Sequence, residues 1–190
     1  TGAPGFVGGR VARQLVDAGH SVVAVVRNPT KADDLARLGI SLQPGDVTDK
    51  ASMAEAMAGV DGVFHIAGWY KIGARDKSQA FHINVDGTRQ VLELVEELRV
   101  PRAVYTSTLA VNSDTHGRIV DETYRFHSRH LSEYDRTKAE AHDLAASMVA
   151  EGLPLVLVQP GMIYGPGDQG PTHDLFVAYP AVGEDKGRRL

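Results

Sequence analysis

The sequence predicts an α/β protein in which helices cover both faces of a parallel β-sheet. Two observations favour this class. Short segments rich in apolar and β-branched residues alternate with segments of helical periodicity along most of the 190 residues. A stretch with glycines at positions 2, 5 and 8 leads directly into the first helical segment. A chain of this length can bury one good core, so one main domain is expected.

The helices are predicted from the spacing of apolar residues. Val7, Val11 and Leu15 recur every four positions and share one helical face, and Gly19 is a stop signal. The first helix is therefore predicted over residues 6–18. The same reasoning predicts helices over residues 31–38, 51–58, 78–98 and 132–151.

Five strands are predicted between these helices, over residues 21–26, 40–43, 62–66, 103–106 and 155–159. The first is apolar after Ser21, which is typical of a strand covered on both faces. Residues 107–131 are polar and predicted to be irregular. Strands alternating with helices form βαβ units with right-handed crossovers, so the predicted architecture is a Rossmann-like doubly wound parallel sheet.

The glycine-rich turn favours an anion at the start of the first helix. Gly2, Gly5 and Gly8 carry no Cβ, so the backbone can turn tightly and a ligand can approach it. The first helical N–H groups have no partner within the helix, and the helix dipole favours negative charge there. A pyrophosphate fits this description. An ordinary glycine-rich turn is the alternative for three glycines taken alone.

The strand that should precede this turn is not in the sequence, because Thr1 is the first residue. We expect several apolar residues before Thr1 in the native protein. We also expect the C-terminal end to be incomplete. Whether residues 178–181 are continuous in the natural chain is left open.

Composition narrows the function. The net charge of −4 gives no basic surface for nucleic acid, and no apolar run is long enough to span a bilayer. The absence of cysteine rules out disulfides, thiolate metal sites and a cysteine nucleophile. With no visible export signal we expect the cytoplasm. The expected partner is a small-molecule substrate, and a homodimer is left open.

Tyr134 and Lys138 lie one turn apart on the same face of the last predicted helix. A tyrosine pKa of about 10 falls beside an ammonium, so the pair is a tunable proton donor or acceptor. Ser107 and Thr108 follow the strand 103–106, where a hydroxyl can hold a substrate oxygen. The alternative for Tyr134 and Lys138 is a solvated pair on the surface. The alternative for Thr108 is a residue that merely ends the strand.

The order of these features resembles the extended short-chain dehydrogenase/reductase family. The motifs are Thr-Gly-x-x-Gly-Phe-x-Gly, Gly-Asp-Val-Thr-Asp, Phe-His-x-Ala, Asn-Val-x-Gly-Thr, Thr-Ser-Thr, Tyr-x-x-x-Lys and Pro-Gly-x-x-Tyr-Gly-Pro-Gly-Asp. Within the family the chain is similar to the nucleoside-sugar epimerase/dehydratase and dihydroflavonol-reductase-like branch. The resemblance extends from Thr1 to about Pro171.

The resemblance implies a nicotinamide cofactor, a binding domain over residues 1–165 and the start of a substrate-binding region over residues 166–190. Asp46 would accept a hydrogen bond from the exocyclic amine of adenine, and the alternative is that Asp46 only forms a turn. Lys138 would bind the ribose hydroxyls. The implied cofactor contacts are Gly2, Gly5, Phe6, Val7, Gly8, Asp46, Val47, Ala67, Gly68, Thr106, Ser107, Tyr134, Lys138, Pro160, Gly161 and Ile163.

The resemblance also implies the catalytic set. Tyr134 would be the acid–base, and Lys138 would lower its pKa. Thr108 stands where most relatives have serine, keeps the hydroxyl and would orient the substrate oxygen, with Ser107 as the fallback. Asn84 would support the site from the neighbouring helix.

Arg27 predicts the choice of cofactor. In NAD-specific sites an acid about 20 residues beyond the glycine-rich turn binds the ribose 2′-hydroxyl. Arg27 ends the second strand at this place, and a guanidinium can bind a 2′-phosphate bidentately. Arg10 and Lys31 could add positive charge. Dihydroflavonol-reductase-like relatives have a similar Val-Arg-x-Pro and use NADPH, so NADP(H) is favoured and NAD(H) is the alternative.

Four residues that follow predicted strands could contact the substrate: Trp69, Tyr70, Met162 and Tyr164. The alternative is that these four side chains only cover the core.

The histidines predict no metal site. His127 and His130 lie three apart in a polar loop and would lack a third ligand, so solvated side chains are expected. His65 lies in a buried strand and is expected to be a core histidine with its hydrogen bonds satisfied.

The leading hypothesis is an NAD(P)-dependent oxidoreductase acting on a secondary alcohol or ketone. One alternative is a nucleotide-sugar epimerase or dehydratase that retains its NAD. A catalytically silent NAD(P)-sensing protein on the same fold is a further alternative, although both Tyr134 and Lys138 are present.

Overall fold

Five parallel strands frame the protein in the computed structural model, which describes residues 1–71 and 75–168. They are β1 (Val23–Val26), β2 (Ser41–Pro44), β3 (Val63–His65), β4 (Ala103–Thr106) and β5 (Leu155–Val158). Each lies within two residues of a strand predicted from the sequence. Their short, apolar, β-branched sequences explain the agreement.

The strands pair in the order expected for a doubly wound sheet. β1 pairs with β2, and β4 lies between β3 and β5, all in parallel. The backbone nitrogen of Thr1 donates to the carbonyl of Phe64 at 2.8 Å, and Ile66 N–H donates to the carbonyl of Thr1 at 3.3 Å. Thr1 is therefore hydrogen-bonded alongside β3. Within the described residues β1 and β3 do not pair with each other.

Six α-helices lie in the described part of the chain. They are α1 (Phe6–Asp17), α2 (Asp33–Ala36), α3 (Lys50–Met57), α4 (Ser78–Phe81), α5 (Gly87–Glu97) and α6 (Glu133–Ala150). Two of them begin at side-chain caps. Asp49 accepts from Ser52 N–H before α3, and Ser132 accepts from Asp135 N–H before α6. No helix in the described residues is both long and apolar enough to cross a membrane.

Two predicted helices differ from the structure. The helix predicted over residues 78–98 is interrupted by a π-helical turn, His82–Asp86, between α4 and α5. The segment predicted over residues 31–38 consists of a 3₁₀ turn, Pro29–Lys31, followed by the single-turn α2. Asn28 caps the 3₁₀ turn by accepting from Thr30 N–H, which starts it earlier than periodicity indicates.

The core consists of two apolar clusters. One packs α3, α5 and α6 against β3, β4 and β5, with Met53, Leu92 and Tyr105 fully buried. The other packs α1 and α2 against β1 and β2 around Ala12 and Val26. This packing fixes the carboxyl ends of the strands, where the candidate site lies.

Most of the residues to which the C-terminal predictions apply lie outside the described part of the chain. Residues 169–190, which include most of the predicted substrate-binding region and the segment 178–181, lie outside the described residues. The division into domains at residue 165 stays a prediction.

Candidate active site

The glycine-rich turn comes into close contact with the chain that follows β3. Gly2 has a φ of +83°, and a Cβ there would lie 2.5 Å from the backbone nitrogen of Ala67. A Cβ on Gly8 would overlap the carbonyl of Gly2. Both positions therefore require glycine. The turn lies beside Ala67 and Gly68, the two residues expected to pass close to the cofactor.

The N-terminus of α1 presents N–H groups that no side chain of the described residues caps. Gly5 is the extended N-cap residue, and the first turn contains no acidic residue. The N–H groups of Phe6 and Val7 have no carbonyl within the helix to bond, so this end favours an anion. Arg10 lies over the Phe6 ring at 3.9 Å and donates to the carbonyls of Phe6 and Pro166.

A cavity of about 450 Å³ lies beyond the ends of β1 and β2. Its polar wall includes Arg27, Asp46, His82, Asp86, Arg89 and Gln90. Because ligands of doubly wound sheets bind at the carboxyl ends of the strands, this cavity lies where the adenosine end of a dinucleotide is expected. Lys31 is not among the described residues that line the cavity.

The carboxylates of this cavity already have partners. Asp46 Oδ1 accepts from the N–H and the hydroxyl of Thr48, so Asp46 forms the turn that was its alternative role. Asp86 Oδ2 lies 2.9 Å from His82 Nδ1. Neither Arg27 nor Arg89 forms an ion pair within residues 1–71 and 75–168. Two guanidinium groups therefore line the cavity without a direct ion pair in the described residues.

Tyr134 and Thr108 meet at the carboxyl end of β4. Their side chains interact, and the Thr108 hydroxyl accepts from Ala110 N–H at 3.2 Å. The Tyr70 ring meets the Tyr134 ring edge-on, with centroids 4.8 Å apart. Burial raises the pKa of Tyr134 above its usual value, and the hydrogen bond from Thr108 opposes this shift.

Lys138 is buried and directs its ammonium inward. The Nζ atom donates to the Tyr105 hydroxyl at 2.9 Å and to the Thr106 carbonyl at 2.8 Å. Burial lowers the pKa of Lys138 to about 7. The ammonium bonds to β4 in this structure and burial dominates at Tyr134, so the expectation that Lys138 lowers the pKa of Tyr134 stays a prediction.

Ser107 is hydrogen-bonded to a side chain of α6. Its hydroxyl lies 2.9 Å from Nδ1 of His142, and both side chains are buried. Burial, reinforced by Arg125, lowers the pKa of His142, which favours a neutral ring that shares a hydrogen bond with the Ser107 hydroxyl. Ser107 thus faces α6, whereas Thr108 faces Tyr134.

Asn84 ties three segments together from within the π-helical turn. Its Oδ1 accepts from Trp69 N–H at 2.6 Å, and its Nδ2 donates to the Trp69 carbonyl and to Thr137 Oγ1. The Thr137 hydroxyl in turn donates to the Glu133 carbonyl at 2.8 Å. The side chain therefore fixes α6, which carries Tyr134 and Lys138, relative to the segment after β3.

The remaining predicted residues are divided between surface and core. Val47 packs on the main core, and the Trp69 side chain is buried, which fits the alternative of a lid over the core. Tyr70, Met162, Ile163 and Tyr164 are exposed. Pro160 accepts from Leu109 N–H at 3.0 Å, which places Gly161 beside the segment that carries Thr108.

His65 agrees with its prediction, whereas His130, expected to be solvated, has a buried Nδ1 without a hydrogen-bond partner among the described residues. His65 is a buried core residue with hydrogen bonds to Thr1 and Thr88, as expected. His127 is exposed, and the His130 ring meets the Phe126 ring edge-on. No group of residues suited to bind a metal ion is found among the described residues.

Sequence reasoning missed several residues of the site: Thr88, Arg89, Tyr105, Thr137 and His142. One signal was available, because Tyr134, Lys138 and His142 are spaced four apart and so share one face of α6. The contacts of the others depend on how distant segments pack.

The site fits a dinucleotide cofactor in three respects. The backbone cradle at Gly2 and Gly8 has no room for a Cβ, and the end of α1 favours an anion. The Oε1 atom of Gln90 is buried without a hydrogen-bond partner in the described part of the chain and belongs to the cavity wall. An adenine amine is one donor that could satisfy it.

Comparisons with known proteins support the same family. The family described as "NAD dependent epimerase/dehydratase family" matches residues 1–183. A 2-alkyl-3-oxoalkanoate reductase of Stenotrophomonas maltophilia is 35% identical over 174 residues, which cover 89% of this chain and 51% of that protein. A 4-hydroxy-2-methyl-3-oxo-4-farnesyl-3,4-dihydroquinoline-1-oxide ketoreductase of Stigmatella aurantiaca is 35% identical over 170 residues, covering 88% and 50% of the two chains.

Solved structures agree with these relatives. The crystal structure of gox2253 has a TM-score of 0.83 at 31% identity and covers 92% of this chain and 55% of that one. A UDP-glucose-4-epimerase from Stenotrophomonas maltophila, solved with NAD and formylated UDP-arabinopyranose, has a TM-score of 0.70 at 26% identity and covers 82% and 49%.

The chain belongs to the NAD-dependent epimerase/dehydratase family, within the extended short-chain dehydrogenases/reductases. The family and the Rossmann-like fold predicted from the motifs are thereby confirmed. The chain spans about half the length of the curated relatives it matches.

Proposed function

We propose that the protein is an NAD(P)-dependent oxidoreductase that interconverts a ketone and a secondary alcohol. The observation that carries this proposal is that the Tyr134 and Thr108 side chains meet at the carboxyl end of β4, with the buried Lys138 one turn further along α6. When bound, the cofactor supplies or accepts a hydride at its nicotinamide ring. Relatives named as a ketoreductase and a 3-oxoalkanoate reductase support a carbonyl as the group reduced.

The chemistry assigned to the chain is the transfer of one proton. In the direction of reduction, the Tyr134 hydroxyl gives its proton to the substrate oxygen as that oxygen gains negative charge. Thr108 donates a hydrogen bond to the same oxygen and holds it beside Tyr134. Lys138, one turn along α6, stabilises the tyrosinate left behind when its ammonium is charged. In oxidation the proton returns to Tyr134.

The proposed cofactor contacts follow the geometry of the turn and the cavity. The N–H groups at the start of α1 would bind the pyrophosphate, which Gly2 and Gly8 allow to approach the backbone. Arg27 and Arg89 line the cavity without a carboxylate partner among the described residues. Because two guanidinium groups suit a phosphate better than a bare hydroxyl, we propose a preference for NADP(H).

Titration of both cofactors into the full-length protein tests that preference. Charge-assisted contacts contribute ~1.5–3 kcal/mol, so NADPH should bind roughly ten- to a hundredfold more tightly than NADH. Arg27→Ala should reduce the difference by weakening NADPH alone, whereas Lys31→Ala, outside the cavity wall, should leave most of it. A preference unchanged by Arg27→Ala would show that Arg27 does not bind the 2′-phosphate.

A nucleotide-sugar epimerase or dehydratase is the second candidate. The description of the family and the similarity to a UDP-glucose-4-epimerase favour it. Such an enzyme regenerates its cofactor in each cycle and keeps it bound, whereas a reductase exchanges it.

One pair of measurements separates the two functions. The purified full-length protein is denatured and the supernatant is analysed for NAD, and the native protein is assayed for NADPH oxidation with 3-oxoalkanoates, ketosteroids and simple ketones. Consumption of NADPH with a ketone and no stoichiometric NAD supports the reductase. Stoichiometric NAD, with turnover only on nucleotide sugars, would overturn it.

A further inference from the structure

Lys138 ends a chain of buried polar side chains that crosses β4 and β3. Its Nζ atom lies 2.9 Å from the Tyr105 hydroxyl, and the Thr88 side chain interacts with that hydroxyl. The Thr88 hydroxyl lies 3.0 Å from Nε2 of His65, and Nδ1 of His65 lies 2.8 Å from the Thr1 hydroxyl. Residues from five separate segments thus form one continuous polar path.

The middle of this path is closed to solvent. Tyr105 is fully buried, and Thr88 and His65 are each only 1% exposed. The Tyr105 ring stacks on the His65 ring with centroids 5.5 Å apart. The Nζ atom of Lys138 lies 4.5 Å from the centre of the Tyr105 ring. Buried polar groups without water must bond to one another, so each hydroxyl depends on its neighbours in the path.

We infer that Tyr105 is a positioning residue that holds the ammonium of Lys138, and that Thr88 and His65 orient the Tyr105 hydroxyl for this contact. The effect on turnover rests on the proposed oxidoreductase function, but the contact itself does not.

The direction of the hydrogen bonds follows from the lysine. An ammonium only donates, so the Tyr105 hydroxyl accepts from Lys138 and its own proton points to Thr88. The Thr88 hydroxyl then donates to Nε2 of His65, which requires a neutral ring with its proton on Nδ1. Burial keeps the pKa of His65 well below its usual value, so the ring is neutral. One arrangement of protons therefore satisfies every group.

The ammonium of Lys138 is stabilised by uncharged hydrogen-bond acceptors. The titratable groups around it are His65 from β3, Tyr105 from β4, and Tyr134 and His142 from α6. No carboxylate pairs with Lys138 in the described part of the chain. Only the Tyr105 hydroxyl and the Thr106 carbonyl accept from its ammonium there. Removing one of two acceptors should make the charged form less favourable.

The test is the pKa of Lys138, measured by NMR on full-length protein labelled with ¹³C at the lysine ε-carbon. Tyr105→Phe removes only the hydroxyl and keeps the ring against His65. We expect it to lower the pKa of Lys138 by about one pH unit, a tenfold loss of proton affinity. Tyr124→Phe is the matched control, because its hydroxyl binds the Asp114 carbonyl in an exposed loop. A Lys138 pKa equal in wild type and Tyr105→Phe would overturn the inference.

Thr88 provides a second test that does not alter the aromatic stack. Thr88→Val removes the hydroxyl that orients Tyr105, whereas Thr88→Ser keeps it. We expect the pKa of Lys138 to fall in Thr88→Val and to stay near the wild-type value in Thr88→Ser. Equal values in the two variants would show that packing, and not the hydrogen-bond path, determines the state of Lys138.

The inference and the proposed function fail in different ways. A lower Lys138 pKa in Tyr105→Phe, in a protein that turns over neither ketones nor alcohols, supports the inference and contradicts the function. If NADPH-dependent turnover is present, Tyr105→Phe should reduce kcat and shift its pH profile, with KM for the ketone little changed. An unshifted profile with an unchanged Lys138 pKa would contradict the inference alone.

Discussion

Replacing Lys138 by methionine should change the stability of the protein in a way that depends on pH. Lys138 is 4% exposed, and its ammonium has no carboxylate partner among the described residues. Burial lowers its pKa to about 7 from the usual value of 10.5. Methionine has a similar length and does not titrate, so it removes the buried charge.

The magnitude follows from proton linkage. Between pH 7 and pH 10.5 the unfolded chain binds the proton of Lys138 more tightly than the folded chain, so this residue makes stability rise with pH in that window. Below pH 7 both states are charged and the full cost of the buried charge is present. At two pH units above the pKa of the folded state, the gain in unfolding free energy is ~3 kcal/mol, because each unit corresponds to ~1.4 kcal/mol.

Urea unfolding of the full-length wild type and Lys138→Met at pH 6 and pH 9 measures this term. The unfolding free energy of the wild type relative to the variant should rise by ~3 kcal/mol from pH 6 to pH 9. Lys50→Met is the matched control, because Lys50 pairs with Glu93 and Glu97 at the surface and its pKa is raised. A change below ~1 kcal/mol for Lys138→Met, or the same change for Lys50→Met, would refute the reasoning.

Two further predictions concern the site. Thr108→Ala should lower kcat ~10-fold or more by removing a hydrogen bond to the substrate oxygen, while Thr108→Ser should be mild. If Ser107→Ala were the more damaging change, the hydroxyl that holds the substrate would be that of Ser107. Asn84→Ala should reduce the unfolding free energy by ~1–3 kcal/mol, because it leaves the Trp69 N–H buried without its acceptor. Chemical denaturation measures this loss, and a variant as stable as the wild type would contradict it.

The sequence was sufficient for the sheet and for the meeting of Tyr134 with Thr108. Short β-branched segments have a strong strand signal, and residues at the carboxyl ends of parallel strands share one edge of the sheet. The four-residue spacing placed Tyr134 and Lys138 on one face of α6. These inferences need only local pattern and the geometry of the fold.

The π-helical turn could not be predicted in the same way. It adds one residue to the turn around Asn84, which rotates the following residues by ~100° relative to a continuous α-helix. Whether Arg89 faces the cavity depends on this rotation. The direction of the Lys138 ammonium was equally inaccessible, because it is set by Tyr105 and Thr106 on another element.

The most direct test of the proposed mechanism is the turnover of Tyr134→Phe, which removes the transferable proton and little else. On the full-length protein with NADPH and an accepted ketone, kcat should fall at least ~10²-fold while NADPH affinity stays near the wild-type value, with Tyr124→Phe as the control. A Tyr134→Phe variant that retains more than about a tenth of the wild-type kcat would contradict the assignment of Tyr134 as the acid–base.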